Sequence, residues 1–273
     1  MRSMVYEKAI FLEEFEKMAK AAGLEAFCNL PTEQRLYAIA KNLDAQGRLF
    51  NLTAITEPRE VLTKHFIDSL FAAREAETLL EEDHSLGNAL LDVGSGGGFP
   101  ALPIAAALPQ VQVTALDSTA KKIAYIRDTA DLCGMQNVHT VCTRAEEAGR
   151  GALREQFSVV TARAVARLPV LLELCVPFVR VGGYFIAMKG SAAMEEETEA
   201  REAAALLSCV LCKITPYSLP ASEEKRFLLI YRKISPTLPT YPRSAARIAK
   251  KPLLPSFPRS SGEKVPAGNK NKF

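Results

Sequence analysis

Residues 89–100 read Ala-Leu-Leu-Asp-Val-Gly-Ser-Gly-Gly-Gly-Phe-Pro, an apolar pentad running into a glycine-rich loop. A short Leu/Val run bounded by glycine is the pattern of a buried strand, and glycines let the following loop turn sharply and approach a ligand without Cβ obstruction. Working outward, the same alternation repeats. Residues 99–108 read as a helix whose regular part follows Pro100 and Pro103. Val111–Leu116 is a strand ending at Asp117, and Ser118 or Thr119 is placed to cap a helix with Ile123, Ile126, Ala130 and Cys133 on one stripe and Gly134 at its end. Val138–Cys142, Phe157–Ala162 and Tyr184–Met188 read as further strands, the last following a Gly182-Gly183 turn. A helix near Glu195–Leu207 leads to Cys209–Thr215 and Phe227–Lys233, which have no helical crossover between them and should pair antiparallel at one edge. The pattern predicts an α/β, Rossmann-like fold with a doubly wound, seven-stranded, mostly parallel sheet.

Three regions follow. Residues 1–85 form an N-terminal helical extension, with Phe11, Phe15, Met18 and Ala22, then Leu36, Ile39 and Leu43, at helical spacing. A third helix is expected from Pro58 to about Leu79, after the short polar segment Asn51–Thr56. Residues 86–235 hold the sheet. Residues 236–273 hold seven of the sixteen prolines, eight lysines and arginines and one acid, and are expected to stay disordered.

With 48% hydrophobic and 24% charged residues, the chain has material for a large core. No apolar run reaches the length of a membrane span, and Met1-Arg-Ser-Met-Val-Tyr-Glu-Lys8 lacks the apolar centre of a secretory leader. A cytoplasmic protein with no membrane partner is expected. The cysteines after Cys28 sit in apolar runs and are expected in the core. Cys209 and Cys212 are spaced as CxxC, without the second pair or nearby histidines that a zinc site would want, so no metal is expected. The net charge of +3 conceals a mildly acidic body and a strongly basic tail. Such an arm suits phosphate backbones, or is simply solvated.

In a doubly wound sheet, ligands bind beyond the carboxyl ends of the strands where the winding switches, so the loop after the first strand is the place to look. Gly94, Gly96, Gly97 and Gly98 build it. A dinucleotide fingerprint wants Gly or Ala at position 99, and the chain has Phe99; the Gly-Lys-Ser/Thr of a P-loop is missing too. Phe99-Pro100 would crowd a pyrophosphate and could wall an apolar or sulfonium-bearing ligand. Asp117 can accept both hydroxyls of a ribose. Ala145-Glu146 should fall in the same crevice, near an adenine. Arg163 follows the fourth strand and could hold a carboxylate or phosphate, and Lys189 ends the fifth on the same rim. S-adenosylmethionine is the expected cofactor.

No Asp/Asn-Pro-Pro-Tyr/Phe follows the fourth strand, no Pro-Cys pair offers a nucleophile, and no G-x-S-x-G elbow is present. The acceptor should already be nucleophilic. Guanine N7, with a free lone pair and no proton to remove, fits, and catalysis would then be proximity and alignment.

Leu91–Ile104, Leu116-Asp-Ser118, Ala145-Glu146, Thr161-Ala-Arg163-Ala and Met188-Lys-Gly190 resemble the RsmG (glucose-inhibited division protein B) family, class I S-adenosylmethionine methyltransferases that modify guanine N7 in bacterial 16S ribosomal RNA. Asn51-Leu-Thr53 and His65-Phe-Ile-Asp-Ser69 resemble its N-terminal motifs, and the likeness covers about residues 35–233. It implies cofactor contacts at Gly94, Phe99, Ala145, Glu146 and Arg163, and 16S ribosomal RNA or the small ribosomal subunit as partner. Gly97 stands where the family more often has alanine, and Thr161-Ala162 precedes Arg163 where serine is usual. The family often ends in a basic segment like Tyr241-Pro-Arg243.

His65, Asp68 and Ser69 share one helical face and are expected to brace the cofactor loop. Arg163, Lys189 and His65 are the catalytic candidates, and a monomer is expected. The competing readings are a methyltransferase of another RNA, a nicotinamide-dependent oxidoreductase, and a non-enzymatic RNA-binding protein.

Overall fold

Seven segments pair into one sheet: β1 (Ala89–Val93), β2 (Gln112–Asp117), β3 (Val138–Cys142), β4 (Phe157–Arg163), β5 (Val179–Lys189), β6 (Cys209–Ser218) and β7 (Lys225–Lys233). Their spatial order in the computed structural model, which describes residues 3, 5–47 and 52–254, is β3-β2-β1-β4-β5-β7-β6. β1 to β5 run parallel, with Leu90 beside Val113 on one side and Val159 on the other. β7 inserts antiparallel between β5 and β6, as the missing crossover between the last two strands requires. The winding reverses between β1 and β4, so the crevice of the switch point opens above the end of β1.

The central strands are buried on both faces, and alternate residues enter different cores. Leu90, Val113, Val159 and Ile186 face one layer, Leu91, Leu116, Val160 and Phe185 the other. The second layer holds α8 (Leu168–Cys175) and α9 (Ala193–Leu206). The first holds α5 (Ala101–Ala107) and α6 (Ala120–Leu132) with α1 (Lys8–Ala21), α2 (Leu30–Gln46) and α4 (Asp68–Glu82). The N-terminal helices therefore share the core of the sheet. Phe11 stacks with Phe15 and meets Tyr37 and Phe66 edge-on, and buried Asn42 of α2 donates to Thr129 of α6 at 2.7 Å. No helix among the described residues is long and apolar enough to cross a membrane.

Several local expectations need correction. The helix from Pro58 is not uniform: α3 (Pro58–Val61) passes into a π-helical turn, Leu62–Ile67, before α4. Gly182 and Gly183 lie inside β5, where a Cβ on Gly183 would stand 2.6 Å from the Ser158 carbonyl, so close packing on β4 and not a turn demands glycine there. Cys142 and Cys212 are exposed. Cys209 stays in register with Lys233, but the pairing of β6 and β7 slips between Leu211 and Lys213, and Cys212 is the unpaired residue of that bulge.

The expected tail also differs from the structure. Residues 236–254 pack on the body and include α10 (Ala245–Lys250); residues 255–273 lie outside the described residues. Composition misled because the segment is held by polar clamps that arise elsewhere in the chain. Glu173 of α8, fully buried, accepts from the backbone and guanidinium of Arg243 at 2.6–2.8 Å. Arg154 donates to the carbonyls of Leu238 and Tyr241 at 3.2 and 2.8 Å.

Arg243→Ala would leave the Glu173 carboxylate buried without its cation. An unfolding free energy lower by about 3–5 kcal/mol is expected in urea titration. A loss under about 1 kcal/mol would show that the segment adds nothing to the fold.

Candidate active site

The loop after β1 is tied to the end of β2 by backbone bonds. Gly94 and Ser95 both donate to the Leu116 carbonyl, at 2.8 and 3.1 Å. Gly94 has φ +74°, and a Cβ there would meet Val165 Cγ2 at 2.6 Å, so both conformation and space select glycine. Above Gly96 the nearest atom to such a Cβ would be the Gly94 carbonyl at 3.9 Å, which leaves that side open to the cleft.

A cleft of about 500 Å³ lies on this loop, within the range of small-molecule sites. Gly94, Gly96, Phe99, Asp117, Ala145, Glu146 and Arg163, the seven residues expected from the sequence to hold a cofactor, all line it. Asp117, Ser118, Thr119, Thr143, Arg144 and Glu146 give the lining polar groups; Val93, Phe99, Leu116, Val165 and Leu174 give it apolar surface. Ala145 and Glu146 open the short helix α7 (Ala145–Ala148).

Asp117 is largely buried at the tip of β2. Its Oδ2 accepts from Gly96 N at 3.1 Å and its Oδ1 from Thr119 N at 2.8 Å. The carboxylate therefore sets the height of the glycine loop and starts α6, and neither Ser118 nor Thr119 caps that helix with its side chain. Each oxygen retains acceptor capacity, because a carboxylate offers about four lone-pair sites.

Asp92, at the penultimate position of β1, is fully buried beneath the loop. Thr161 donates to its Oδ1 at 3.0 Å, and Oδ2 has no hydrogen-bond partner among the described residues. Burial raises its pKa to about 6, partly offset by Ser95, Thr161, Arg163 and the amide of Ala101 at the start of α5.

A second group of side chains enters from the N-terminal helices. His65, in the π-helical turn, stacks on Phe99 with ring centroids 4.6 Å apart. Its Nε2 lies 2.7 Å from Thr53 Oγ1 and its Nδ1 3.3 Å from an Arg163 nitrogen. Burial, then the Arg163 charge, lowers its pKa to about 3. The ring is neutral, Nδ1 accepts from the guanidinium, and Nε2–H donates to Thr53. Arg163 also donates from Nη1 to the Lys64 carbonyl at 2.8 Å and to Asp68 Oδ2 at 2.9 Å, and lies 5.8 Å from the Phe99 ring centroid. Ser69 Oγ donates to the His65 carbonyl at 2.6 Å.

Lys189 does not reach the cleft. Its Nζ donates to the Ala166 carbonyl at 2.6 Å and pairs with Glu196 at 2.7 Å, because α9 turns that acid back beneath the rim. Sequence reasoning missed Leu52, Lys122, Arg144 and Val165 in the lining, and Tyr217 and Arg226, which both meet Asp68. No local pattern marks Tyr217 or Arg226; only the antiparallel pairing of β6 and β7 brings them there.

The family model described as rRNA small subunit methyltransferase G matches residues 32–228. The chain belongs to this family. It is 43% identical over 204 residues to the ribosomal RNA small subunit methyltransferase G of Desulfitobacterium hafniense (strain Y51), covering 74% of this chain and 82% of that one. It is 39% identical over 245 residues to the protein of the same name from Ligilactobacillus salivarius (strain UCC118), covering 88% of this chain and 98% of that one. Among solved structures, a geranyl diphosphate methyltransferase in complex with SAM is alike in outline, with TM-score 0.44 and 15% identity over 64% of this chain and 90% of that chain.

The buried histidine makes a test by pH. Its folded form stays neutral down to about pH 3, whereas an unfolded histidine binds a proton near 6.5, so its contribution to stability falls as pH drops through that interval. Asp92 acts oppositely: its folded pKa near 6 means that stability falls as pH rises from about 4 to about 6. The His65→Asn variant keeps the Asp92 effect and loses the other. Wild type should therefore lose more stability than the variant between pH 6.5 and pH 4.5 in thermal melts. Parallel pH profiles would show that His65 is not held neutral.

Proposed function

We propose that the cleft binds S-adenosylmethionine and that the chain methylates N7 of a guanine in 16S ribosomal RNA. One observation carries the choice of cofactor. A dinucleotide would place its pyrophosphate at the N-terminus of α5, where the buried Asp92 carboxylate already lies near the Ala101 amide. Pro100 and Pro103 remove two further N–H donors from that turn. A second phosphate anion there would be repelled, while a cationic sulfonium would not. Asp117 suits a ribose diol, Ala145 and Glu146 an adenine edge, and Phe99 with Val165 an apolar wall. This argues against the nicotinamide-dependent oxidoreductase. The RNA substrate is supported by the family, and guanine N7 by the absence of side chains placed to deprotonate an amine or attack a ring carbon.

When bound, S-adenosylmethionine would supply a methyl group on a sulfonium, whose transfer to the N7 lone pair would leave a neutral thioether and place the positive charge on the base. The residues need neither give nor take a proton. Both ring nitrogens of His65 are engaged, so it has no free site to act as a base. The role assigned to His65 and Arg163 is to hold the Phe99 wall and the strand end in place.

Asp117→Ala should weaken binding of S-adenosylhomocysteine by about 1–3 kcal/mol, roughly 5- to 150-fold in calorimetry, with no binding of NAD by either protein. Unchanged affinity would move the ribose elsewhere. Mass mapping of 16S ribosomal RNA, with and without the gene, should show one 7-methylguanosine lost. An identical pattern would overturn the proposed reaction and favour a non-enzymatic RNA-binding role or another RNA.

A further inference from the structure

The chain passes from β4 to α8 through Ala164-Val-Ala-Arg167, and the first two of these residues line the cleft. Ala164 holds φ +55°, where an L side chain is disfavoured. Val165 is 39% exposed, yet its Cγ2 occupies the space above Gly94, where a Cβ would come within 2.6 Å of it. The loop is therefore seated on the glycine loop in a form that its own backbone does not favour. Such a form persists only where the surroundings over-determine it. Arg163 restrains one side, through Asp68 and the Lys64 carbonyl. The restraint on the other side comes from two residues that do not line the cleft.

Lys189 ends β5, and Glu196 lies in the first turn of α9. Lys189 Nζ donates to the Ala166 carbonyl at 2.6 Å, and Glu196 Oε2 accepts from the Leu168 amide at 2.7 Å. The two side chains pair with each other at 2.7 Å and are only 10% and 12% exposed. One ion pair thus grips a carbonyl and an amide at the point where the loop becomes α8. Arg167 also meets Glu195 and Glu199, but at 52% exposure, where such contacts contribute little. Apolar residues of like size would hold α9 on α8 at least as firmly as a buried ion pair. What they could not do is fix the direction of a backbone carbonyl and a backbone amide.

We propose that Lys189 and Glu196 are positioning residues for methyl transfer, holding the loop between β4 and α8 in the form that seats Val165 on Gly94. The proposal rests on the methyltransferase reading above. In that reading no residue gives or takes a proton, and rate comes from aligning donor and acceptor in the cleft. A displacement of about 1 Å costs such a reaction up to about 100-fold. With Ala166 and Leu168 released, Ala164 has a more favourable backbone form open to it, and Val165 moves off Gly94.

The test uses the full chain and a double-mutant cycle. The paired variant Lys189→Met/Glu196→Gln removes the donor to Ala166, keeps an acceptor for Leu168 and leaves no lone charge buried. Val165→Ala removes the seated side chain itself, at an exposed position where folding tolerates the change. Single-turnover methylation is measured with S-adenosylmethionine and RNA both saturating, below the melting temperature of each protein. The RNA is 16S ribosomal RNA, naked and within small subunits, from cells lacking the gene. The paired variant and Val165→Ala should each react about 10- to 100-fold more slowly than wild type. Their combination should be no slower than the paired variant, because the clamp acts through Val165. The rate–pH profile should keep its shape throughout. A wild-type rate in the paired variant, or in Val165→Ala, would overturn the proposal. Losses that multiply in the combination would also overturn it, since the clamp would then act elsewhere. A profile that changes shape in the paired variant would place Lys189 in proton transfer and overturn it too. A wild-type chain that neither binds S-adenosylhomocysteine nor methylates either substrate would instead sink the reading beneath it.

Discussion

A carboxylate with no access to water must find its partners inside the protein, and at Asp68 that requirement joins three distant parts of the chain. The Asp68 side chain is fully buried at the start of α4. It accepts from Arg163 at the end of β4 at 2.9 Å, from Tyr217 of β6 at 2.8 Å, and more distantly from Arg226 of β7 at 3.5 Å. Removing either side of such a cluster costs several kcal/mol, because the remaining charges stay buried. The N-terminal helices are thereby locked to the strand ends that frame the cleft. The Tyr217 hydroxyl pays a visible consequence: burial and the Asp68 charge push its pKa well above the ordinary tyrosine value.

The π-helical turn before Asp68 belongs to the same arrangement. Such wide turns redirect backbone carbonyls and occur often at functional sites. Here the Lys64 carbonyl and the Asp68 carboxylate both reach Arg163 Nη1, while His65, between them, reaches Nη2. Burial and then the Arg163 charge keep His65 neutral, and Arg163 lies against Phe99. Ala164, the next residue, has φ +55°, a conformation costly for alanine, and it lines the cleft beside Val165. The fixed wall of the cleft is thus a product of contacts outside it.

The sheet was legible because its strands are short, apolar and punctuated by glycine, and the edge pair because no helix could fit between Cys209–Thr215 and Phe227–Lys233. The glycine loop, Asp117 and Ala145-Glu146 were legible because each immediately follows a strand, and in this topology the ends of β1, β2 and β3 meet at one crevice. What lies far apart in sequence was not legible. Lys189 ends a strand on the correct rim, yet Glu196 one turn into α9 captures it. The π-helical turn has no signature in the hydrophobic pattern, since Val61, Leu62, Phe66 and Ile67 fit an α-helical stripe equally well. Composition marked residues 236–273 as unable to order themselves, which is a statement about that segment alone and not about how residues 236–254 meet the body. The buried acid of Glu173 and the guanidinium of Arg154 supply from outside what the segment lacks.

The same distribution of charge bears on how RNA is held. Around the site the buried cations are already spent on protein acids: Arg163 and Arg226 on Asp68, and Lys189 on Glu196. Each buried pair is fixed by the need to neutralise an acid, and withdrawing a cation to meet a phosphate would expose that acid to the full cost of burial. Affinity for a polyanion must therefore come from cations that have no such duty. Lys122 and Arg144 in the cleft have no ion pair among the described residues, and neither do Arg247 and Lys250 of α10 and Lys251 after it. Lys122 and Arg144 line the cleft, whereas Arg247, Lys250 and Lys251 follow the Arg243 clamp on the body's surface. The division leaves the buried cations to hold the strand ends in place and the exposed ones available to a polyanion.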